Sequence, residues 1–247
     1  MDNIKPDQTF FTLRYWRDNK IERELIKKIY STNLLTPRER RTLAVYHSAT
    51  YLRFYALQKH FQSMLEQLKQ PTANSEEQKT LFLVELENNC SSVIRSAWSV
   101  FDSLAHEINL VVWKVSNRKE LFHPYIKEKK ISFYMVRERL LASDKLEKTK
   151  ISQLLARQTR DIDLRAKEYV WLSELATRAL HRPILLGHNF VLDKEGQIQI
   201  FLTEPEGLPA DSATSLQDFE IVSGLAQISK WLETFIDEVY AALIISL

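Results

Sequence analysis

Glycine is scarce in this chain of 247 residues, which contains only four glycines, all of them after residue 186. A dinucleotide-binding G-x-G-x-x-G motif and a phosphate-binding G-x-x-x-x-G-K loop both need closely spaced glycines, and neither motif is present. Few glycines also leave few positions suited to tight turns, which favours long helices. The sequence therefore excludes two large classes of nucleotide-binding protein and indicates a mainly α-helical chain.

Cysteine and long apolar runs are also nearly absent. Cys90 is the only cysteine, so neither an internal disulfide nor a cysteine-based zinc cluster can form. Residues 1–20 mix acidic and basic side chains with no apolar segment of the kind found in signal peptides. The longest apolar run, residues 239–245, is well short of the roughly 20 residues that a membrane helix needs. We therefore expect a soluble, cytoplasmic protein with no membrane association and no bound cofactor.

Charge is unevenly distributed along the chain, although the net charge is only +2. Residues 1–70 and residues 118–170 each carry a net charge of +6, whereas residues 183–247 carry −8. The basic segments could bind a polyanion such as RNA, or they could dock against the acidic segment of the same chain. Charge alone leaves both interpretations open.

Helix signals dominate the chain, and residues 190–202 are the one clear segment with the period-two alternation of a β-hairpin. Thr36 and Glu39 form a capping box with proline at the first helical position, which predicts a helix start. Apolar residues spaced alternately by three and four predict further long helices. Shorter helices are expected at residues 131–141, from Ser143 to about residue 157, and from Asp161 to Pro183, the last burying Leu164.

These patterns predict one domain, a mainly α, up-down helical bundle with long helices and one small β-hairpin near the C-terminal third. Within this single domain of residues 1–247, the expected parts are an N-terminal helical extension (1–70), a helical core (76–183), a β-hairpin (188–202) and a C-terminal helix (215–247).

The longest predicted helix has an unusual polar face opposite its apolar face. Its members are mostly small and polar where a solvated face would favour Lys and Glu: Asn88, Ser92, Arg95, Ser99, Asp102, His106 and Asn109. Such a face is either a second packed face with satisfied hydrogen bonds or the lining of a pocket or interface. We call these seven residues the polar seam.

Metal and hydrolase motifs are incomplete. His106 and Glu107 begin like the zinc motif H-E-x-x-H, but the fifth position is Leu110. No G-x-S-x-G nucleophile motif is present. We therefore predict no metal site.

A cluster of charged residues lies at the end of the helix that precedes Pro183. Glu174, Arg178, His181 and Arg182 fall on one side of that helix and gather two cations and an imidazole. The cluster is either a functional site or an ordinary helix C-terminus, where cations are favoured by the helix dipole and the terminal carbonyl groups.

Residues 95–109 (RSAWSVFDSLAHEIN) together with residues 178–183 (RALHRP) resemble the HEPN superfamily, and the resemblance covers roughly residues 76–183. It implies a helical bundle, frequent homodimerisation and, in active members, metal-independent RNA cleavage by an Arg and a His on one helix. Active members usually have Asn after that Arg and His after four to six residues in all. Arg178 and His181 are closer than this, with Ala179 in the place of Asn, whereas Arg182 and His188 have the expected spacing with Pro183 and Gly187 between them.

Three functional hypotheses follow from the residues and the resemblance. The first is a HEPN-like protein that binds a partner protein, RNA or a nucleotide phosphate without catalysis. The second is a metal-independent ribonuclease in which His181 or His188 is the general base on a ribose 2′-hydroxyl and Arg178 or Arg182 stabilises the developing charge. The third is a structural protein whose long helices dimerise. The candidate residues are Arg178 and His181 for catalysis and Asp102, Arg182 and His188 for binding.

Overall fold

The computed structural model of the chain describes residues 20–31, 34–69, 76–116, 121–124, 129, 131–161, 163–181, 188–192, 198–202, 216 and 219–246. These residues form seven α-helices and one two-stranded antiparallel sheet, which confirms the predicted mainly α-helical bundle with a small β-hairpin. The elements are α1 Lys20–Ser31, α2 Pro37–Leu68, α3 Glu76–Val115, α4 Phe133–Leu141, α5 Lys150–Thr159, α6 Lys167–His181, β1 His188–Leu192, β2 Ile198–Leu202 and α7 Ile221–Ser246.

The chain divides into two compact units, and helices α2, α3 and α7 each contribute residues to both. The first unit comprises Met1–Tyr55, Ser99–Arg165 and Glu233–Leu247. The second comprises Ala56–Trp98 and Ala166–Leu232. Within the described part of the chain, no helix is long and apolar enough to cross a membrane.

The start of α2 is the predicted capping box. The Thr36 amide donates to Glu39 Oε2 at 2.7 Å, and the Glu39 amide donates to Thr36 Oγ1 at 3.3 Å. Lys114 of α3 donates to both carboxylate oxygens of Glu39, at 2.8 and 3.0 Å. Burial raises the pKa of Glu39, but the hydrogen bonds from Lys114 and Thr36 outweigh it and hold the pKa below its usual value. One carboxylate thus both caps α2 and ties it to α3.

The core of the first unit contains three mutually contacting phenylalanines from three helices. The ring of Phe101 in α3 lies 4.6 Å from that of Phe133 in α4 and 5.6 Å from that of Phe235 in α7. Each of these side chains is buried. Aromatic pairs at such distances stabilise beyond their buried area, so they fix α4 and the C-terminal half of α7 against α3.

Helix α5 begins later than predicted. Ser143 was expected to start it, but the Ser143 carbonyl accepts from the amides of Leu146 and Glu147 in a turn. Thr149 is the actual N-cap, and its hydroxyl accepts from the amide of Ser152 at 3.3 Å. The prediction of α4 is confirmed to within two residues, with Ser132 as its N-cap.

The core of the second unit combines polar and aromatic contacts between α2, α3, α6 and α7. Gln67 of α2 donates to the Phe82 carbonyl of α3 at 2.8 Å and accepts from Asn89 at 2.8 Å. Tyr169 of α6 lies with its ring centre 6.5 Å from Trp98 of α3 and 6.4 Å from Trp231 of α7. The two ring contacts of Tyr169 pack α6 against both α3 and α7.

Helix α6 starts at Lys167, so the prediction of a start at Asp161 or Asp163 is wrong. The Asp161 carbonyl accepts from the amides of Leu164 and Arg165 in a turn. Leu164 is 62% exposed instead of buried, because it lies in this turn and outside the helix. Leu172, Leu175 and Ala179, which lie within the helix, are buried.

The sheet leads into α7, which begins at Ile221 and not at residue 215. Glu220 caps the helix: its carboxylate accepts from the amides of Val222 at 3.1 Å and Ser223 at 2.6 Å. Gly224 lies against the ring of Phe219, closely enough that a Cβ atom at this position would overlap the ring. The chain therefore needs glycine here for close packing of the segment before α7.

Candidate functional site

The residues predicted to form a site are distributed over both units. Asp102 lies on α3 in the first unit, and Arg178 lies on α6 in the second. The backbone of His181 ends α6 and that of His188 begins β1. The side chains of these two histidines, and the whole of Arg182, lie outside the described part of the structure. Of the five candidate residues, Asp102 and Arg178 therefore have side chains that the structure describes.

Arg178 is buried, with 6% of its surface exposed. A buried guanidinium group must be paired within the fold, because an uncompensated charge away from water is strongly unfavourable. Its burial supports the interpretation of Arg178 as a structural residue, since an RNA phosphate is reached from the surface.

The two segments that resemble the HEPN superfamily are in contact in the second unit. Arg95 of α3 donates from Nη2 to the carbonyl oxygen of Ala179 in α6 at 3.2 Å. The carbonyl groups of the last helical turn have no partner within their own helix, and arginine is a favoured donor to them. Through Arg95, the polar seam of α3 thus binds the C-terminal end of α6.

A second set of polar contacts joins α3 to α2 in the first unit and shares only Ser99 with the polar seam. We call it the polar ladder: His47, Thr50 and Arg53 of α2 with Ser99, Ser103 and Glu107 of α3. Arg53 Nη1 donates to the Ser99 carbonyl at 2.9 Å and to the Ser103 hydroxyl. His47 and Thr50 both contact Glu107. Residue numbers rise along α2 while they fall along α3, so the ladder joins two antiparallel helices.

Glu107 is the centre of the ladder and is fully buried. Its Oε2 lies 3.1 Å from His47 Nδ1. Its Oε1 accepts from the Thr50 hydroxyl and, at 3.2 Å, from the Tyr240 hydroxyl of α7. The rings of Tyr51 and Tyr240 lie 4.9 and 5.0 Å from the His47 ring and cover it. This arrangement joins three helices through one carboxylate and is closed to substrate.

Asp102 lies on the half-buried side of the same ladder. Burial raises the pKa of its carboxyl group above the usual value; the charge of Arg53, a hydrogen bond from the Phe133 amide and the charge of His106 act in the opposite direction and are weaker. The His106 ring packs on Tyr46 with centres 4.8 Å apart. Asp102 and His106 have side chains that can exchange a proton, and Arg53 adds a permanent positive charge near Asp102, but all three side chains also hold α3 to its neighbours.

The last member of the polar seam, Asn109, holds a connecting segment. Its side chain donates to the Phe122 carbonyl at 2.9 Å and accepts from the Phe122 amide at 3.1 Å. Five members, Arg95, Ser99, Asp102, His106 and Asn109, thus contact other elements of the fold. These contacts support the first of the two interpretations of the seam, a packed face with satisfied hydrogen bonds.

The first unit has an open groove of about 360 Å³ between α5 and the C-terminal end of α7. Each helix lines it with residues spaced by three, four and seven positions: Lys150, Gln153, Leu154 and Arg157 from α5, and Glu238, Ala241, Ala242 and Ile245 from α7. Leu154 and Ala242 are nearly buried, whereas Ile245 is 70% exposed. We call this the α5–α7 groove.

The two ends of the α5–α7 groove differ in charge. At one end Arg157 Nη2 lies 3.7 Å from Glu238 Oε2, and Gln158 Nε2 donates to the same oxygen at 3.2 Å. Lys150 and Ile245 each lie seven residues from this contact along their own helices, so both line the groove away from the Arg157–Glu238 pair. An apolar floor of small residues with a cation at one end can bind an amphipathic segment.

Neither the residues nor the comparisons point to a known site. Within the described ranges, no group of three or more His, Cys, Asp or Glu side chains is placed to hold a metal ion. Family models, curated proteins and solved structures give no match to this chain.

Neither the partners of Glu107 nor the α5–α7 groove is predictable from the spacing of residues along one helix. One signal for Glu107 was present: it lies three residues after Leu104 and four before Val111, both of which are buried. An acidic residue at the spacing of a core position indicates a buried, hydrogen-bonded carboxylate. No comparable signal existed for the groove, because it depends on how α5 and α7 pair.

Proposed function

We propose that this chain is a HEPN-like helical protein that acts by binding a partner protein in the α5–α7 groove, and that it does not act by catalysis. The observation that carries the proposal is the groove itself, an open space of about 360 Å³ with an apolar floor. Grooves between two helices bind the apolar face of a partner helix. Small side chains at Ala241 and Ala242 give the groove its depth.

The environment of the His47–Glu107 pair argues against catalysis by these two residues. His47 and Glu107 have the residue types of an acid–base pair, but both are fully buried under tyrosine rings. A general base must come within hydrogen-bond reach of the proton that it removes. A substrate reaches this pair only if α2, α3 and α7 separate.

The HEPN-like relationship is supported by the hydrogen bond from Arg95 to Ala179, which joins the two resembling segments. RNA binding through Arg178, His181, Arg182 and His188, cleavage of RNA by these residues, and homodimerisation remain predictions that rest on the residues and the resemblance together. The burial of Arg178 favours the non-catalytic alternative.

A photo-crosslinking amino acid, p-benzoylphenylalanine, placed at position 245 tests the proposed function in cells that naturally produce the protein. Ile245 is 70% exposed and Val45 of α2 is 62% exposed, so position 45 is a matched control outside the groove. We expect a discrete protein adduct from position 245 that is lost when Ala241→Trp fills the groove. Equal adducts from both positions, or an adduct insensitive to Ala241→Trp, would contradict the proposal.

A further inference from the structure

We infer that the partner segment in the α5–α7 groove is an amphipathic helix of about two turns that carries a carboxylate opposite Lys150. The inference rests on the proposed function and adds the chemistry of the partner. It follows from the length of the groove, the nature of its floor and the charge at its two ends.

The length of the groove sets the size of the occupant. On each helix the lining runs over seven residue steps, from Lys150 to Arg157 and from Glu238 to Ile245. At 1.5 Å per residue this is about 10 Å, or two helical turns. A helix presents one apolar stripe over that length through residues at i, i+3 or i+4, and i+7. Two or three apolar side chains therefore cover Leu154, Ala241 and Ala242.

The charge at the Lys150 end determines the sign of the charge expected on the partner segment. The N-terminus of α5 and the C-terminus of α7 lie at this end, and their partial charges, about +0.5 and −0.5, offset each other. Helix α5 has no acidic residue in its first turn. Within the described part of the chain, Lys150 forms no ion pair, whereas Arg157 at the opposite end is paired with Glu238. Among the charged residues that line the groove, Lys150 is therefore the one without an ion pair to a described residue.

The exposed side chain of Ile245 fixes where the partner carboxylate lies. Ile245 and Lys150 are at the same end of the groove, so a partner that covers the isoleucine brings the next polar position within reach of Lys150 Nζ. The expected partner segment thus has an acidic residue within one turn of an apolar residue. RNA fits this end less well, because phosphates would leave the apolar floor uncovered.

Three synthetic helical peptides with the same apolar stripe test the inference on the full chain. Their polar positions are Glu in the first peptide, Gln in the second and Lys in the third. Binding is measured by fluorescence anisotropy at low and physiological salt. The variants are Lys150→Glu, Ala241→Trp and the control Lys148→Glu, which changes an exposed lysine two residues away that does not line the groove.

We expect the Glu peptide to bind the wild type about three- to fivefold more tightly than the Gln peptide at low salt, the effect of one exposed ion pair. Lys150→Glu should reverse the order of the Glu and Lys peptides, and Lys148→Glu should leave it unchanged. Ala241→Trp should abolish binding of all three peptides. Circular dichroism and melting temperature confirm that each variant is folded.

The outcomes separate this inference from the proposed function. Equal affinities for the three peptides, all lost in Ala241→Trp, would overturn the acidic preference and leave the groove as a docking site. If no peptide binds, the inference is overturned. The proposed function is then tested separately by crosslinking from position 245. An RNA oligonucleotide that displaces the Glu peptide and is weakened equally by Lys148→Glu and Lys150→Glu would also overturn the inference. The inference would also be overturned if light scattering shows that the wild type is a dimer and that Ala241→Trp is a monomer, because a second copy of the chain would then occupy the groove.

Discussion

His47 Nδ1 lies 3.1 Å from Glu107 Oε2, and both side chains are fully buried. These residues are 60 positions apart in sequence and belong to antiparallel helices. A buried polar pair can form in only one alignment of two helices, whereas apolar faces alone tolerate a shift by a turn. We therefore assign to this pair the role of setting the register of α2 on α3.

Replacing Glu107 by leucine should strongly destabilise the protein. The change leaves His47, Thr50 and Tyr240 without their common acceptor, and we expect the free energy of unfolding in urea to fall by about 3 kcal/mol. Glu85→Leu, at an exposed position on the same helix, is the control and should change it by less than about 0.5 kcal/mol. A loss below about 1 kcal/mol for Glu107→Leu would show that the pair does not set the register.

Asp102 should make stability depend on pH in the direction opposite to a typical carboxylate. Because burial raises its folded pKa above the usual 3.8, its contribution to stability is full below 3.8 and is lost as pH rises through the folded value. Asp102→Asn removes this loss. We expect the melting temperatures of variant and wild type to be close at the acidic end, with the variant gaining on the wild type as pH rises. A variant that loses ground with rising pH would mean that Arg53 dominates.

The sequence predicts local features better than contacts between distant helices. The capping box of Thr36 and Glu39 was predictable because its two residues lie three positions apart and act on one helix end. The polar seam was predictable as a face of α3. Its partners were not, because spacing along α3 identifies a face and does not identify the residue of α2 that meets it. Asp161 was wrongly expected to start α6 because acidic residues favour turns as well as helix starts.

Arg178→Ala should lower stability and leave any RNA binding unchanged. The side chain is 6% exposed, so its loss removes a buried charged partner, which costs on the order of 3 kcal/mol. Urea unfolding measures the first effect, and titration with an RNA oligonucleotide at two salt concentrations measures the second. The control is Arg165→Ala, an exposed arginine in the preceding turn. Unchanged stability with weaker RNA binding and a flatter salt dependence would instead assign Arg178 to a phosphate site.

Gly224→Ala should destabilise the start of α7. A Cβ atom would overlap the ring of Phe219, and this ring cannot retreat freely because Trp171 lies against it at 5.2 Å. Overpacking of this kind costs about 1 to 3 kcal/mol. The smaller side chain of Phe219→Leu should recover part of the loss in the double variant, and Gln227→Ala on the exposed face serves as control. Equal melting temperatures of Gly224→Ala and wild type would contradict the close packing.

The α5–α7 groove lay beyond sequence analysis for a physical reason. Its floor consists of Leu154, Ala241 and Ala242, which read as ordinary core positions of two separate helices. The groove exists only because the two helices meet, with Arg157 and Gln158 of α5 beside Glu238 of α7. A start of α5 at Ser143 would also have placed different residues at the N-terminus of the helix.

Hydrogen–deuterium exchange of the full chain, with and without the Glu peptide, tests the central claim that this groove is the binding surface. We predict that slower exchange on binding is confined to α5 and to the C-terminal two turns of α7, and that it disappears in Ala241→Trp. Protection centred on α6, or no protection anywhere at saturating peptide, would contradict the account.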